Sequence, residues 1–249
     1  MSAWWREITG LVLPVACGGC GRPRTELCET CAAVLEAAPR RVRPTPEPAG
    51  LPLVYAVAPY GSAVRAVLLA HKERGALGLA GPLGGALAAA VRAGAGCTGG
   101  TGPLLLVPVP SARRATAARG HDPTRRIALA AAAVLRRSGT PARVLAVLRQ
   151  RRAVADQAGL GARERQANLA GALDVAVGGR DLLGGGRVWL VDDLLTTGAS
   201  LTEAARAVRA AGGAQQAGNA SGQGAVRSPA SLRAAVVAAS PSAFEINRN

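Results

Sequence analysis

Apolar runs along the chain predict the strands of a sheet. Residues 53–60 alternate between apolar and polar positions, whereas residues 104–110 and 187–191 are short, mostly apolar runs typical of buried strands. Residues 142–150 predict one more strand. Helical patterning follows the first three runs and covers residues 62–72, 79–92, 125–139 and 202–213.

The repetition of strand, loop and helix indicates an α/β protein, because parallel strands need crossover connections that are usually helical. We therefore expect a mostly parallel sheet flanked by helices. Residues 41–52 are proline-rich and predict a linker between a module at residues 1–40 and a main domain at residues 53–249. Residues 214–233 are rich in Gly, Ser, Gln and Asn, and predict a mobile insertion.

Composition narrows the class of protein. Apolar residues make up 49% of the chain but aromatic residues only 2%, so the core must be filled mainly by Ala, Val and Leu. The formal charge of +15 invites a nucleic-acid-binding interpretation. The basic residues are nevertheless dispersed arginines, with Lys72 as the only lysine, and aromatic side chains for base stacking are scarce. The charge alone therefore does not indicate a nucleic-acid-binding face.

The sequence predicts no membrane span. It contains no uninterrupted run of eighteen apolar residues, and the short apolar stretch at residues 8–16 is broken by Pro14 and followed by paired cysteines. We expect a cytoplasmic protein.

Two CxxC pairs, Cys17 with Cys20 and Cys28 with Cys31, predict a four-cysteine metal site. Four thiolates suit tetrahedral Zn²⁺, and such a closed site is structural. Disulfides, a redox pair or an iron–sulfur site are the alternatives. Cys97 stands apart and is expected to be an unligated thiol.

A candidate phosphate site follows the strand at residues 187–191. Asp192 and Asp193 come at the end of this strand, and a loop with small and hydroxylated residues then opens a helix. Helix N-terminal N–H groups and the hydroxyls of Thr196, Thr197 and Ser200 can donate to phosphate, while carboxylates can accept from sugar hydroxyls and hold hydrated Mg²⁺. The alternative is an ordinary strand followed by an N-capped helix.

This segment resembles the phosphoribosyl diphosphate (PRPP) signature of type I phosphoribosyltransferases. The stretches 107–123, containing Arg119 and Gly120, and 156–173 resemble those of ComF proteins, as does the stretch with Tyr60, Gly61 and Lys72. His121, Asp122 and Pro123 depart from the ComF pattern. The resemblance implies the type I phosphoribosyltransferase fold and extends over almost the whole chain outside residues 214–233.

The resemblance also implies roles for individual residues. Asp192 and Asp193 would hold the ribose of Mg·PRPP. A segment comprising Leu195, Thr196, Thr197, Gly198, Ala199 and Ser200 would bind the 5′-phosphate. Pyrophosphate would be bound by Arg113, Arg114, Arg151 and Arg152, the latter two near a loop at residues 151–161 that is expected to close over substrate before a helix from residue 162.

The expected reaction is transfer of the phosphoribosyl group to an unidentified nucleophile with release of pyrophosphate. The alternative function is a non-catalytic factor of competence and DNA uptake that binds single-stranded DNA or partner proteins, as the resemblance to ComF proteins implies. A homo-oligomer is compatible with either function.

Overall fold

The computed structural model describes residues 15–96, 102–152, 154, 161–216 and 232–245. The strands are β1 (Arg40–Val42), β2 (Leu53–Pro59), β3 (Leu104–Pro108), β4 (Ala142–Val144), β5 (Leu148–Gln150), β6 (Leu173–Val175), β7 (Arg187–Leu195) and β8 (Arg233–Ala239). The helices are α1 (Glu29–Leu35), α2 (Ser62–Glu73), α3 (Ala80–Gly96), α4 (Arg113–Arg119), α5 (Pro123–Arg137), α6 (Ala162–Leu169), α7 (Gly179–Leu183), α8 (Ala199–Gln216) and α9 (Ser242–Glu245).

Six strands form a mixed, mostly parallel sheet in the order β1-β2-β8-β7-β3-β4. β2, β8, β7, β3 and β4 are mutually parallel, and β1 pairs antiparallel to β2 at one edge. β5 and β6 form a separate two-stranded antiparallel sheet. Because neighbouring parallel strands end at the same side, the loops after β2, β8, β7 and β3 meet at one edge of the sheet, where ligands of α/β proteins usually bind.

Both faces of the sheet are covered, which explains the nearly continuous apolar runs. α2, α3 and α5 pack on one face with Trp189 and Val191 of β7, and α8 packs on the other face with Leu190 and Leu195. The small β5–β6 sheet contributes apolar side chains to the cluster on the α8 face. Successive strand side chains point to opposite faces, so a strand covered on both faces needs apolar residues at nearly every position.

The structure confirms an α/β protein with a mostly parallel sheet flanked by helices. Its boundaries differ from the predictions at several places. Residues 142–150 contain two short strands in different sheets, and residues 41 and 42 of the predicted linker form the edge strand β1 together with Arg40. α8 extends to Gln216 and β8 starts at Arg233, so both ends of the predicted insertion lie in regular structure. Residues 217–231 lie outside the described part.

Within the part of the chain that the structure describes, one helical segment is long and apolar enough to cross a membrane by length and composition alone. It covers Leu77–Gly96, and 56% of its apolar window is buried inside the fold. Burial of this kind is typical of a core helix, and this helix packs closely on α5 beneath the sheet.

Candidate functional site

The two acids predicted at the end of β7 lie at the ligand-binding edge of the sheet. The strand continues through both of them to Leu195, so they belong to β7 and not to a loop. The N–H of Asp193 donates to Oδ1 of Asp192 at 2.8 Å. Asp193 is buried, and its Oδ2 accepts from Nζ of Lys72 on α2 at 2.7 Å. Lys72 is therefore a cation of this site that the sequence did not assign.

The acidic pair is electrostatically asymmetric. Burial raises the pKa of Asp192 well above its usual range, and the adjacent charge of Asp193 raises it further, which the charge of Lys72 only partly offsets. For Lys72, burial lowers the pKa, but the charge of Asp193 and its hydrogen bond outweigh this effect and raise the pKa overall. A ligand cation or hydrogen-bond donor would therefore stabilise the ionised form of Asp192, which its surroundings disfavour.

A tight loop joins β7 to the long helix α8. Gly198 has φ of 80°, in the left-handed region that favours glycine, and its carbonyl accepts from the N–H of Thr202 at 2.9 Å. Oγ1 of Thr197 accepts from the N–H of Ala199 at 3.5 Å. The loop thus brings Thr196 and Thr197 to the N-terminus of α8, whose N–H groups and dipole favour an anion. Leu195 is buried in the strand.

Arg165 of α6 is a second cation that adjoins this loop. Its Nη1 lies 3.4 Å from Oγ1 of Thr196, and its Nε is buried with no hydrogen-bond partner among the described residues. A buried guanidinium donor without a partner is costly, and an anion in the loop would satisfy it. The sequence placed Arg165 in a stretch of the ComF resemblance but did not assign it to the site.

Arg151 and Arg152, two of the four arginines predicted to bind pyrophosphate, contact residues at the end of α6 and in β6. Nη2 of Arg152 donates to the carbonyls of Asn168 and Ala170 at the end of α6, at 2.8 and 3.0 Å. Arg151 lies 4.0 Å from Asp174. Arg113 and Arg114 begin α4, where the Arg114 side chain is exposed.

A cleft of about 530 Å³ lies beside the loop that follows β3. It is lined by Ser111 from this loop, by Thr116 from α4, and by Leu148, Arg149 and Gln150 of β5. The cleft adjoins the C-terminal end of β3, and β3 pairs with β7 in the sheet. Its hydroxyl, amide and guanidinium groups suit a polar ligand.

The four predicted metal ligands converge. The Sγ atoms of Cys17, Cys20, Cys28 and Cys31 all lie within 4.8 Å of one another, and Cys20 alone of the four is exposed. Sγ of Cys20 and Sγ of Cys28 are 3.6 Å apart, which is too long for a disulfide and compatible with two ligands of one metal. The cysteines can therefore hold a metal ion, and they fit zinc. Cys97 lies outside the described residues.

The environments of Cys17 and Cys31 shift the pKa values of their thiols in opposite directions. Burial alone would raise the pKa of Cys17, but backbone hydrogen bonds, first among them that of Cys20, outweigh it and lower the pKa to about 6. Burial raises the pKa of Cys31 to about 12. A bound divalent cation would offset the repulsion between four adjacent thiolates in this cluster.

The ligand-binding edge of the sheet thus contains two carboxylates, a loop at a helix N-terminus that favours anions, and the cations Lys72 and Arg165. This set can bind a ligand with both hydroxyl groups and phosphate. No protein-family model matches the chain, and no curated protein sequence matches it either.

Proposed function

We propose that the chain is a type I phosphoribosyltransferase of the ComF type that binds PRPP with Mg²⁺ and transfers its phosphoribosyl group. The observation that supports this proposal most directly is the order of groups on β7 and α8. The buried strand β7 carries Asp192 and Asp193 close to its end at Leu195, and a three-residue turn with a left-handed glycine then starts a long helix. Carboxylates for ribose hydroxyls and N–H groups for a phosphate are thus adjacent.

Each group has a defined part in the proposed complex. Asp192 and Asp193 accept hydrogen bonds from the ribose hydroxyls, and the segment from Thr196 to Ser200 donates to the 5′-phosphate. The pyrophosphate is assigned to Arg113 and Arg114 and to Arg151 and Arg152, the resemblance being the only support for these four. Mg²⁺ would supply charge neutralisation of the phosphates, and the acidic pair has the oxygen ligands that this ion prefers.

The proposed reaction is a displacement at C1 of the ribose. A nucleophile forms a bond to C1, the bond from C1 to the pyrophosphate oxygen breaks, and pyrophosphate leaves with the bonding electrons while the nucleophile loses a proton. The protein contributes by fixing the ribose and by stabilising the separated charges. The cleft lined by Thr116, Arg149 and Gln150 is the proposed place of the acceptor.

Calorimetric titration with Mg·PRPP tests the ligand. Replacing both acids in an Asp192→Asn, Asp193→Asn variant should weaken binding by about 1.5 to 3 kcal/mol for each charged hydrogen bond lost. Asp181→Asn, which makes the same chemical change on the exposed helix α7, should leave the affinity unchanged. Equal affinities in the wild type and the double variant would refute the site.

Pyrophosphate release in the presence of candidate acceptors tests the reaction itself. Absence of Mg·PRPP binding in the wild type, together with salt-sensitive binding of single-stranded DNA, would favour the alternative of a non-catalytic factor for DNA uptake.

We further propose that the ion held by the four cysteines is a structural zinc. All four ligand positions are filled by protein sulfur, so no coordination position is left for a substrate. Among the described residues, the apolar cluster around the cysteines is small and consists of Cys17, Cys28 and Cys31 with the partly buried Leu27 and Ala63. A metal would therefore supply much of its stability.

A further inference from the structure

The single lysine of the chain connects the cysteine module to the acidic pair. α2 lies between them, and its last turn carries Lys72, whose Nζ contacts Asp193 at 2.7 Å across a sequence separation of 121 residues. The neighbouring Glu73 receives two hydrogen bonds of 2.7 Å from Arg119 at the end of α4. The C-terminal turn of α2 is thus attached to two elements at the ligand-binding edge of the sheet.

The other end of this connection is the loop between Cys17 and Cys20. A Cβ atom on Gly18 would lie 2.8 Å from Cδ1 of Leu79 and 3.2 Å from Cβ of Ala70, so the loop backbone rests directly against α2 and the turn that follows it. A Cβ atom on Gly19 would lie 3.4 Å from Val67. Val67 and Ala70 lie on α2 less than two turns before Lys72, and both are buried.

We infer that Lys72 is a positioning residue that holds Asp193 in place, and that the metal-bound cysteine module fixes Lys72 by packing against α2. The effect of Lys72 on ligand binding rests on the proposed function, whereas the effect of the cysteine module on the contact between Lys72 and Asp193 does not. Loss of the metal would release the Gly18 loop from Ala70, let α2 shift, and lengthen the contact between Lys72 and Asp193.

Thermodynamic linkage gives the inference a second consequence. If metal occupancy favours the arrangement of Asp193 that binds the ligand, then the ligand must favour metal occupancy by the same factor. Removal of zinc should therefore weaken Mg·PRPP binding, and saturating Mg·PRPP should slow the loss of zinc to a chelator.

The single lysine allows a test that needs no substrate. Amine acylation modifies the neutral amine, so the ion pair with Asp193 protects Lys72, and peptide mapping separates Lys72 from the chain's α-amine. Chelation of zinc should raise the rate of Lys72 acylation by about tenfold, corresponding to a loss of about 1.4 kcal/mol of ammonium stabilisation. The Asp193→Asn variant sets the rate for a fully broken pair.

A milder perturbation guards against unfolding of the zinc-free protein. Gly18→Ala keeps all four cysteines and forces a methyl group against Ala70 and Leu79, whereas Gly81→Ala adds a methyl group in open space. Acylation of Lys72 should accelerate in Gly18→Ala at full zinc content and stay at the wild-type rate in Gly81→Ala. Unchanged acylation in both Gly18→Ala and a folded zinc-free protein would overturn the coupling.

Substitution of Lys72 separates this inference from the proposed function. Lys72→Met should lower Mg·PRPP affinity, because Asp193 loses its counter-charge. It should also shift the pH dependence of binding, because the charge of Lys72 lowers the pKa of Asp192. Lys72→Arg should restore both in part. Accelerated acylation without any Mg·PRPP binding would uphold the coupling and refute the proposed function. Binding with the affinity and pH dependence of the wild type in Lys72→Met would refute the positioning role.

Discussion

Gly84 and Gly85 are adjacent residues of α3 that should respond in opposite ways to the same substitution. A Cβ atom on Gly84 would lie 2.5 Å from Cβ of Ala130 and 2.8 Å from the backbone nitrogen of Ala131, both on α5. A Cβ atom on Gly85 would have no neighbour within 4 Å. Gly84 therefore allows α3 and α5 to approach each other closely.

The two expected effects can be worked out from this geometry. Each Gly→Ala change in a helix interior gains about 1 kcal/mol from helix propensity. At Gly84 the methyl group meets backbone atoms that cannot rotate away, so overpacking costs about 1 to 3 kcal/mol. Gly85→Ala should stabilise the protein by up to about 1 kcal/mol, and Gly84→Ala should be less stable than Gly85→Ala by about 1 to 3 kcal/mol.

Urea unfolding followed by circular dichroism measures the difference in the free energy of unfolding between the two variants. The gain in helix propensity is common to both and cancels, so the difference reports the overpacking at Gly84. The midpoint of thermal unfolding should differ by about 2 to 4 °C for each kcal/mol in a chain of this size. Equal stabilities of the two variants would show that α3 and α5 are not in close contact at Gly84.

Three further predictions concern charge and metal. Burial would raise the pKa of Glu203, but hydrogen bonds from Arg206 and the backbone of Leu173 outweigh it and lower the pKa. The contribution of Glu203 to the free energy of unfolding is therefore present above about pH 4.3 and is lost on acidification. Glu203→Gln should cost about 1 to 3 kcal/mol at neutral pH and flatten the acid limb of the stability curve, and an unchanged limb would contradict the contact. The pKa of Asp192 is raised in the folded protein, so ionisation of this carboxyl lowers the free energy of unfolding as the pH rises. Asp192→Asn should therefore stabilise the chain by about 0.5 to 2 kcal/mol at about pH 7.5 and by less at about pH 5. Metal analysis should find one zinc for each chain, and its absence from protein purified without chelator would contradict the structural site.

Local patterning predicted the main sheet well because its strands are buried on both faces. β3 is apolar throughout and β7 is apolar from Val188 to Val191, and the helices α2, α3, α5 and α8 follow periodic stretches close to their observed bounds. The spacing of the two CxxC pairs likewise predicted a cluster, since a tight turn brings each pair together whatever the rest of the fold does.

Features that depend on distant residues were missed. The pairing of Lys72 with Asp193 links positions 121 residues apart, and neither the lone lysine among arginines nor the ComF-like stretch that contains it indicated this partner. β5 and β6 are too short to show a period, and the N–H of Leu173 in β6 donates to the carboxylate of Glu203, 30 residues away. β1 forms because β2 offers it an edge, although prolines follow it closely.

The position of β8 in the sheet has a consequence for synthesis of the chain. β8 lies between β2 and β7 and pairs with both, yet 178 residues separate Tyr55 of β2 from Arg233 of β8. At about 5 to 20 residues per second, translation would leave β2 without its parallel neighbour for about 10 to 40 seconds. During that interval the apolar edge of β2 is exposed to other nascent chains, and a ribosome stalled before residue 233 would release a product whose sheet is divided in two.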